Sequence, residues 1–475
     1  MGLVVPIGFG PDEAEHILRA YQVSLGHALP QVVNCRTHRY LFTCHGNLNG
    51  RLTPKRRAGG GVSYVLVNVL SRLYTVSHHN GKPLHFTAKD YAPLLDATLG
   101  SKLAFAHFEN TALYSPINYV PAAIVFWIAR HINETVIGAI FAARLLTGVV
   151  WAILVTAAVA ITPRWKWLFS LVLLVPTALS QAAVVSADSF SLGVVALTTA
   201  YVLYLADRGL ALQRREIALL SLLGLVIGLL KFPLVLVLVA LIALLSGVLG
   251  GGAARRWRAT VIALPGVVAA ILWDIASNSY FVPYRNVVYE AARRVFISQP
   301  EQEHYLLSHV VKIPALFWNT AIAGNLFKLN GGAGTVGEWG LPEWFAITWL
   351  VLFVLLACGS TEGAGVGRTV RGWISWTLVT YFLATAVAIY ITWTAVGASQ
   401  ISGMHGRYFT LVLVLAVPLF AGLGRRRLRI SPRITAYSVM LISALSAAWM
   451  FSYTAQRYYA KPPWWVFAHV TSVLF

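Results

Sequence analysis

Charge is what this chain most lacks. Of its 475 residues only 11% are charged, against roughly 25% in an ordinary soluble domain. Carboxylates are scarcer still, with 17 Asp and Glu beside 37 Lys and Arg. So little charge cannot cover a water-facing surface, which excludes a soluble globular protein. Cysteine is nearly absent, at three, and that excludes a disulfide-dense scaffold. The sequence also has no Gly-rich nucleotide loop, no Walker motif and no HExxH helix. An ATP-driven pump is thereby disfavoured, and any activated group must arrive with the substrate. No strong internal repeat is present, so nothing points to an inverted-repeat transporter.

What is there instead is apolar: 57% hydrophobic residues and a mean hydropathy of +0.67. Runs close to the ~20 residues that cross a bilayer recur, for example at 138–162, 189–206, 232–249, 344–358 and 372–392. About ten or eleven such segments can be counted. The expected fold is an all-α, polytopic transmembrane bundle. The net charge of +20 sits in short loops between apolar runs: Arg164/Lys166, Arg208/Arg214/Arg215, Arg255/Arg256/Arg258, Arg368/Arg371 and Arg425/Arg426/Arg427/Arg429/Arg433. This is the positive-inside pattern, and it speaks against nucleic acid as a partner.

Placing each basic cluster inside makes hairpins of 167–185 with 190–206 and of 217–230 with 234–249, with Asp188 and Lys231 at their outer tips. The chain divides into a first outer loop (1–116), a helical module (117–276), a second outer loop (277–342) and C-terminal helices (343–475). The outer loops are long enough for a small cap. Within the first, 13–25 and 62–74 read as amphipathic helices, and Lys55-Arg56-Arg57-Ala-Gly-Gly-Gly reads as a flexible loop. Residues 1–10 read as the tail end of a helix, with the expectation that a transmembrane helix is missing before them. An outside first loop also requires that one of the apolar runs 117–132 and 138–162 is not a full crossing.

Four places carry candidate chemistry. In Pro11-Asp12-Glu13-Ala-Glu15-His16-Ile-Leu-Arg19-Ala20-Tyr21, Asp12 reads either as a helix cap or as a carboxylate base or metal ligand; Asp12, Glu13 and His16 are the candidates for a divalent metal ion. Asp188 is either an N-cap or a functional carboxylate beside the membrane. Lys231 either snorkels to the interface or meets a phosphate. In Gly403-Met-His405-Gly406-Arg407-Tyr408, Arg407 lies outside the basic clusters, and its guanidinium suits a phosphate; the alternative is an interfacial Arg and Tyr anchor. Cys35 and Cys44 leave three readings: a disulfide, free thiols, or zinc with His38 and His45, whose spacing matches no standard finger.

These motifs, with Tyr114-Ser-Pro116, Tyr119-Val-Pro121, Ser186-Ala-Asp188, Lys231-Phe-Pro233, Gly334-Thr-Val-Gly337-Glu-Trp339-Gly-Leu341-Pro342 and Gly406-Arg407-Tyr408, resemble GT-C-type membrane glycosyltransferases. More closely, they resemble an uncharacterised family of predicted bacterial membrane proteins. The resemblance implies an inverting transferase that moves a sugar from a polyprenyl-phosphate donor to a cell-envelope glycan or lipid acceptor. Its site would face outward from the bacterial inner membrane, with membrane lipids as its surroundings. It implies Asp12 as base with Glu13 beside it, and His16, Arg19, Asp188, Lys231, His405, Arg407 and Tyr408 as substrate contacts. The competing readings are a lipid-linked glycan flippase, and a polysaccharide ligase or polymerase using a lipid-pyrophosphate donor. The chain departs from the related transferases in carrying Ser115-Pro116 where a Lys or His is common, and from the closer family in having His405 where Gln is common.

Overall fold

The computed structural model describes residues 2–35, 37, 56–79, 82–83, 85–283, 297–322, 343–362, 365–423 and 429–459. Among these the chain is almost wholly helical. Five helices are long and apolar enough to cross a membrane: α5 (Val136–Ile161), α8 (Ala187–Arg208), α11 (Gly252–Asn278), α15 (Arg368–Trp393) and α18 (Pro432–Tyr458). Fewer long helices than the ten or eleven apolar segments form among the described residues, because several of those segments are short or broken. The stretch 167–185, expected as one crossing, is α6 (Lys166–Leu173) followed by α7 (Pro176–Ala182). Pro176 forces that break, since proline lacks the N–H a continuing helix needs and pushes its predecessor out of helical geometry. Likewise α9 (Arg214–Leu230) stops before Pro233, a 3-10 turn covers Phe232–Leu236, and α10 (Val237–Leu244) follows. A shorter apolar helix, α14 (Glu343–Gly359), precedes α15. The short α12 (Gln299–Ser308) and α13 (Ile313–Ile322) lie between α11 and α14.

The parity problem of residues 117–163 resolves through length. Helix α4 (Val120–His131) has 12 residues, about 18 Å of rise, too little for a hydrocarbon core of about 30 Å. Only α5, with 26 residues, is long and apolar enough for a crossing there.

The segment before α4 is less helical than its sequence suggests. Helices α1 (Glu13–Ser24) and α2 (Tyr64–Ser77) form as expected, with the short α3 (Ala88–Tyr91) after them. Residues 2–10 run as turns and not as helix, with Val4, Val5 and Ile7 buried. Of the Lys55–Gly61 stretch, expected as a flexible loop, the described residues 56–61 instead supply most of a strand. Strands β1 (Gln31–Asn34), β2 (Arg56–Ser63) and β5 (Leu103–His107) form an antiparallel sheet with β2 in the centre, and β3 (His78–His79) pairs with β4 (Lys82–Pro83) as a small ribbon. The glycines serve close approach. A Cβ on Gly59 would sit 1.9 Å from the Ala106 carbonyl oxygen, and one on Gly60 would sit 2.5 Å from Gln22 Nε2. β2 can therefore press flat against β5 and α1 only without side chains there.

The helical module is knitted by the same device. Gly224 and Gly228, spaced four apart on α9, meet α11 with nothing between: a Cβ on Gly228 would lie 2.0 Å from the Gly266 carbonyl oxygen, and one on Gly266 would lie 2.3 Å from the Gly224 carbonyl oxygen. Small residues at this spacing let membrane helices pack backbone to backbone.

Candidate functional site

The C-terminal ends of α9, α11 and α15 and the residue that caps the start of α1 converge on one cavity of about 360 Å3, and the N-terminal end of α8 reaches its edge through the Asp188–Lys231 pair. Its charged or titratable lining includes Asp12, Glu109, Lys231, Asp274, His405 and Arg407. Apart from His405 and Arg407, neighbours in this set lie 43 or more residues apart in the chain, so folding, not local sequence, assembles the group.

Two ion pairs organise one wall. Arg407, opening the short α16 (Arg407–Thr410), donates through Nη2 to Asp12 Oδ2, and Lys231 donates through Nζ to Asp188 Oδ1. Lys231 is the residue that ends α9, in extended geometry, and its position is fixed from behind. Asn118 donates Nδ2 to the Leu230 carbonyl at 3.0 Å and accepts from Ser191 Oγ at 3.1 Å. One otherwise orphan carbonyl of the helix end is satisfied in this way. The ammonium also faces the rings of Tyr114 at 4.9 Å and Tyr408 at 5.5 Å, cation–π contacts that strengthen where water is excluded. Tyr408 is held by its backbone carbonyl, which accepts from Tyr381 at 2.8 Å.

Asp12 sits with φ 54° and ψ 17°, left-handed backbone that Asp and Asn tolerate better than other side chains. Burial alone would raise the pKa of its carboxyl, but the charge of Arg407, with His16 and His405, outweighs that and holds it below the ordinary value. Asp12 is ionised at neutral pH. His16 behaves oppositely: burial, with Arg407 and Lys231 nearby, pushes its imidazole down to about 4 against the pull of Asp12 and Asp188, so it is neutral. Its Nδ1 lies 2.8 Å from the Tyr119 hydroxyl, and its ring stacks on Tyr114. Glu15, buried and close to Asp12 and Glu109, is pushed well above the usual carboxyl range despite a backbone N–H donated by Asn110 at 2.9 Å.

Several expected site residues prove to be supports. Glu13 points away from the cavity. Arg144 donates to it through Nε at 2.7 Å and Nη2 at 2.6 Å, and the backbone N–H groups of Gly8, Gly10 and Val185 complete its shell. Arg19 donates to the Gln22 side chain and to the carbonyls of Ala28 at 2.6 Å and Tyr114 at 3.0 Å, so it braces Tyr114 from outside the lining. His16 likewise lies behind Tyr114. Asp12, Glu13 and His16 therefore do not share a ligand, and among the described residues no group of three or more His, Cys, Asp or Glu converges on a metal position. Cys35 is disulfide-bonded and Cys358 is a free thiol; Cys44, His38 and His45 lie outside the described residues, as does the 334–342 motif.

Reading residue types alone missed Arg144, the role of Tyr114 beside Lys231, and the α11 residues Trp273 and Asp274. Arg144 carried a usable signal, as a lone guanidinium within a 26-residue apolar helix. Trp273 and Asp274 did not, since a Trp and an Asp near a helix end look like interfacial anchors.

A family model described as "Predicted membrane protein (DUF2142)" matches residues 2–416, and the chain belongs to that family. No curated protein and no solved structure matches it.

Proposed function

We propose that this DUF2142 protein is an inverting membrane glycosyltransferase. It takes a sugar from a polyprenyl-phosphate donor and passes it to a cell-envelope glycan or lipid acceptor outside the bacterial inner membrane. The observation that carries the reading is the single cavity in which Lys231 and Arg407, each paired with a carboxylate, face an apolar and aromatic flank that includes Phe232, Trp273, Phe281 and Ile389. An anionic headgroup on a long hydrocarbon needs both halves of such a site.

In this reading the donor phosphate exchanges for the carboxylates on the two cations. Arg407 turns from Asp12 to the phosphate, and Asp12 is freed as an ionised base in a poorly hydrated site. An acceptor hydroxyl attacks the anomeric carbon and gives its proton to Asp12. The anomeric C–O bond to phosphate breaks, its electron pair leaves on the phosphate oxygen, and Lys231 and Arg407 stabilise the growing charge. The sugar ends with inverted configuration. Of the three candidate metal ligands, only Asp12 would remain open to a divalent cation, because Glu13 is closed by Arg144 and His16 is turned to Tyr119.

Orientation supports an outward site. Helices α9, α11 and α15 each bring one end to the cavity and α8 brings Asp188 to Lys231, and each carries its basic residues at the other end: Arg214/Arg215, Arg255/Arg256/Arg258, Arg368/Arg371 and Arg208. At that far end Arg164 pairs with Asp207 at 2.8 Å, and Arg208 pairs with Glu216 at 2.5 Å. By the positive-inside rule the cavity opens on the opposite face. A flippase would instead spread polar groups through the depth of the membrane.

The test is envelope glycan composition in cells carrying the wild-type gene, a deletion, or Asp12→Asn at equal protein level. Loss of the same sugar in the deletion and in Asp12→Asn is the expected result. A glycan lost in the deletion but retained in Asp12→Asn sinks the catalytic reading.

A further inference from the structure

Among the described charged residues that line the cavity, Asp12 is paired with Arg407, Lys231 with Asp188, and Glu109 with Arg57 at 3.0 Å. Asp274 has no such partner. Its carboxylate makes no hydrogen bond or ion pair, and one turn on along α11 the Asn278 side chain makes none either; both line the cavity. Just before Asp274 on α11 stands Trp273, whose ring is fixed because its Nε1 donates to the Leu113 carbonyl at 2.8 Å. Asp274 and Asn278, one turn apart and exposed, thus stand with a fixed indole in the cavity wall and without a partner among the described residues.

The register of α9 against α11 says where this surface lies. The helices run the same way and touch at Gly228 and Gly266. Lys231 lies three residues beyond Gly228, about 4 Å along the axis, and Asp274 lies eight beyond Gly266, about 12 Å. The Asp274 surface therefore sits about 8 Å further out than the phosphate-seeking cation, the scale of one sugar ring and its linking oxygen.

We infer that Asp274 and Asn278, with Trp273 as a stacking face, form the subsite that recognises the hydroxyl groups of the transferred glycosyl unit. The inference rests on the donor reading above and deepens it. A carboxylate accepts hydrogen bonds from two neighbouring hydroxyls at once, an amide both donates and accepts, and an indole face packs on the C–H side of a sugar ring. Apolar lipid phosphate needs none of these groups. They act only on what the phosphate carries, so they set which sugar is taken and leave the lipid anchor to Lys231 and Arg407. A site built to bond hydroxyls also rejects an analogue that lacks them, because its polar groups are then left unpaired.

Two binding measurements on the full-length protein in nanodiscs separate the claims. The probes are a polyprenyl phosphate and the same lipid carrying a hexose. Wild type binds the hexosyl lipid about ten-fold more tightly than the bare one, and Asp274→Ala and Asn278→Ala each remove most of that margin while bare-lipid binding stays constant. A margin that survives both substitutions, or no margin in wild type, overturns the subsite. If neither lipid binds wild type, the donor reading itself has failed, and a second arm still decides the subsite. In a Cys358→Ser background, Ala388→Cys on the cavity wall is labelled with a water-soluble thiol reagent in the presence of free methyl hexosides. Slowed labelling that Asp274→Ala restores supports the subsite, and unchanged labelling overturns it.

Discussion

Asp12 and Arg407 stand 395 residues apart and share an ion pair at the mouth of one cavity. Asp12 opens the first helix of the cap, and Arg407 belongs to a short helix after the fourth long crossing. Their pair closes the site from two ends of the chain. It also keeps the carboxylate ionised and the guanidinium oriented until an anion competes for it.

Substitutions at this pair should separate chemistry from folding. Asn tolerates left-handed backbone as Asp does, so Asp12→Asn alters charge without adding strain at φ 54°. The partly exposed pair contributes at most about 1 kcal/mol of stability. Transfer by Asp12→Asn, measured with labelled donor on purified protein, should fall at least about 100-fold with little change in melting temperature. Arg407→Lys should be damaging too, because a point charge does not replace a planar fork on phosphate. Near-normal turnover in Asp12→Asn would remove it from the mechanism.

Lys231 and Asp188 make a different case because both are buried, with side-chain exposures of 11% and 7%. Lys231→Ala should leave the Asp188 carboxylate stranded and cost about 3–5 kcal/mol, read as a large drop in the melting temperature of detergent-solubilised protein. Removing both charges with Asp188→Leu/Lys231→Met should restore most of that stability and none of the transfer. If the double variant regained activity, phosphate binding by Lys231 would be disproved.

Acid should weaken the fold through His16. Its folded pKa is lowered to about 4, chiefly by burial, against about 6.5 in an unfolded chain. Below pH 6.5 the unfolded state takes up a proton that the folded state refuses until about pH 4. Stability from this group is therefore full above 6.5 and declines by about 1.4 kcal/mol per pH unit through that window. His16→Gln should flatten the fall in melting temperature between pH 6.5 and 5. An identical slope in both proteins would contradict the assignment.

The cap strand offers a steric test. Gly59→Ala places a methyl group 1.9 Å from the Ala106 carbonyl oxygen and should prevent stable folding, whereas Gly61→Ala meets nothing closer than Leu103 at 3.9 Å and should be tolerated. Membrane-fraction yield of the two variants decides it. Equal yields would mean that β2 and β5 are not packed as described.

Much of this was legible in the sequence, for reasons that differ by residue. The long crossings announced themselves by length and apolarity. Asp12, Asp188, Lys231 and Arg407 stood out because an ionisable group beside an apolar run has few benign explanations. Glu13 looked equivalent to Asp12, yet one step of helical rotation turns it into the interior, where Arg144 claims it. The Arg56–Gly61 stretch misled because glycine serves both mobility and close contact, and the partner strand that decides between them is some 45 residues away. Tyr114 was quoted for its motif but gained no role, since its meeting with Lys231 depends on the tertiary fold.

The glycine seam between α9 and α11 has a mechanical consequence. With backbone on backbone and no side chain between, there is nothing at that seam to compress or to change rotamer, so Lys231 and Asp274 ride on one stiff plank at constant spacing. On the proposed function, Lys231 and Asp274 would meet a lipid-borne substrate at a spacing set by that seam, while Tyr381, Arg407 and Tyr408 would meet it from the separate elements α15 and α16.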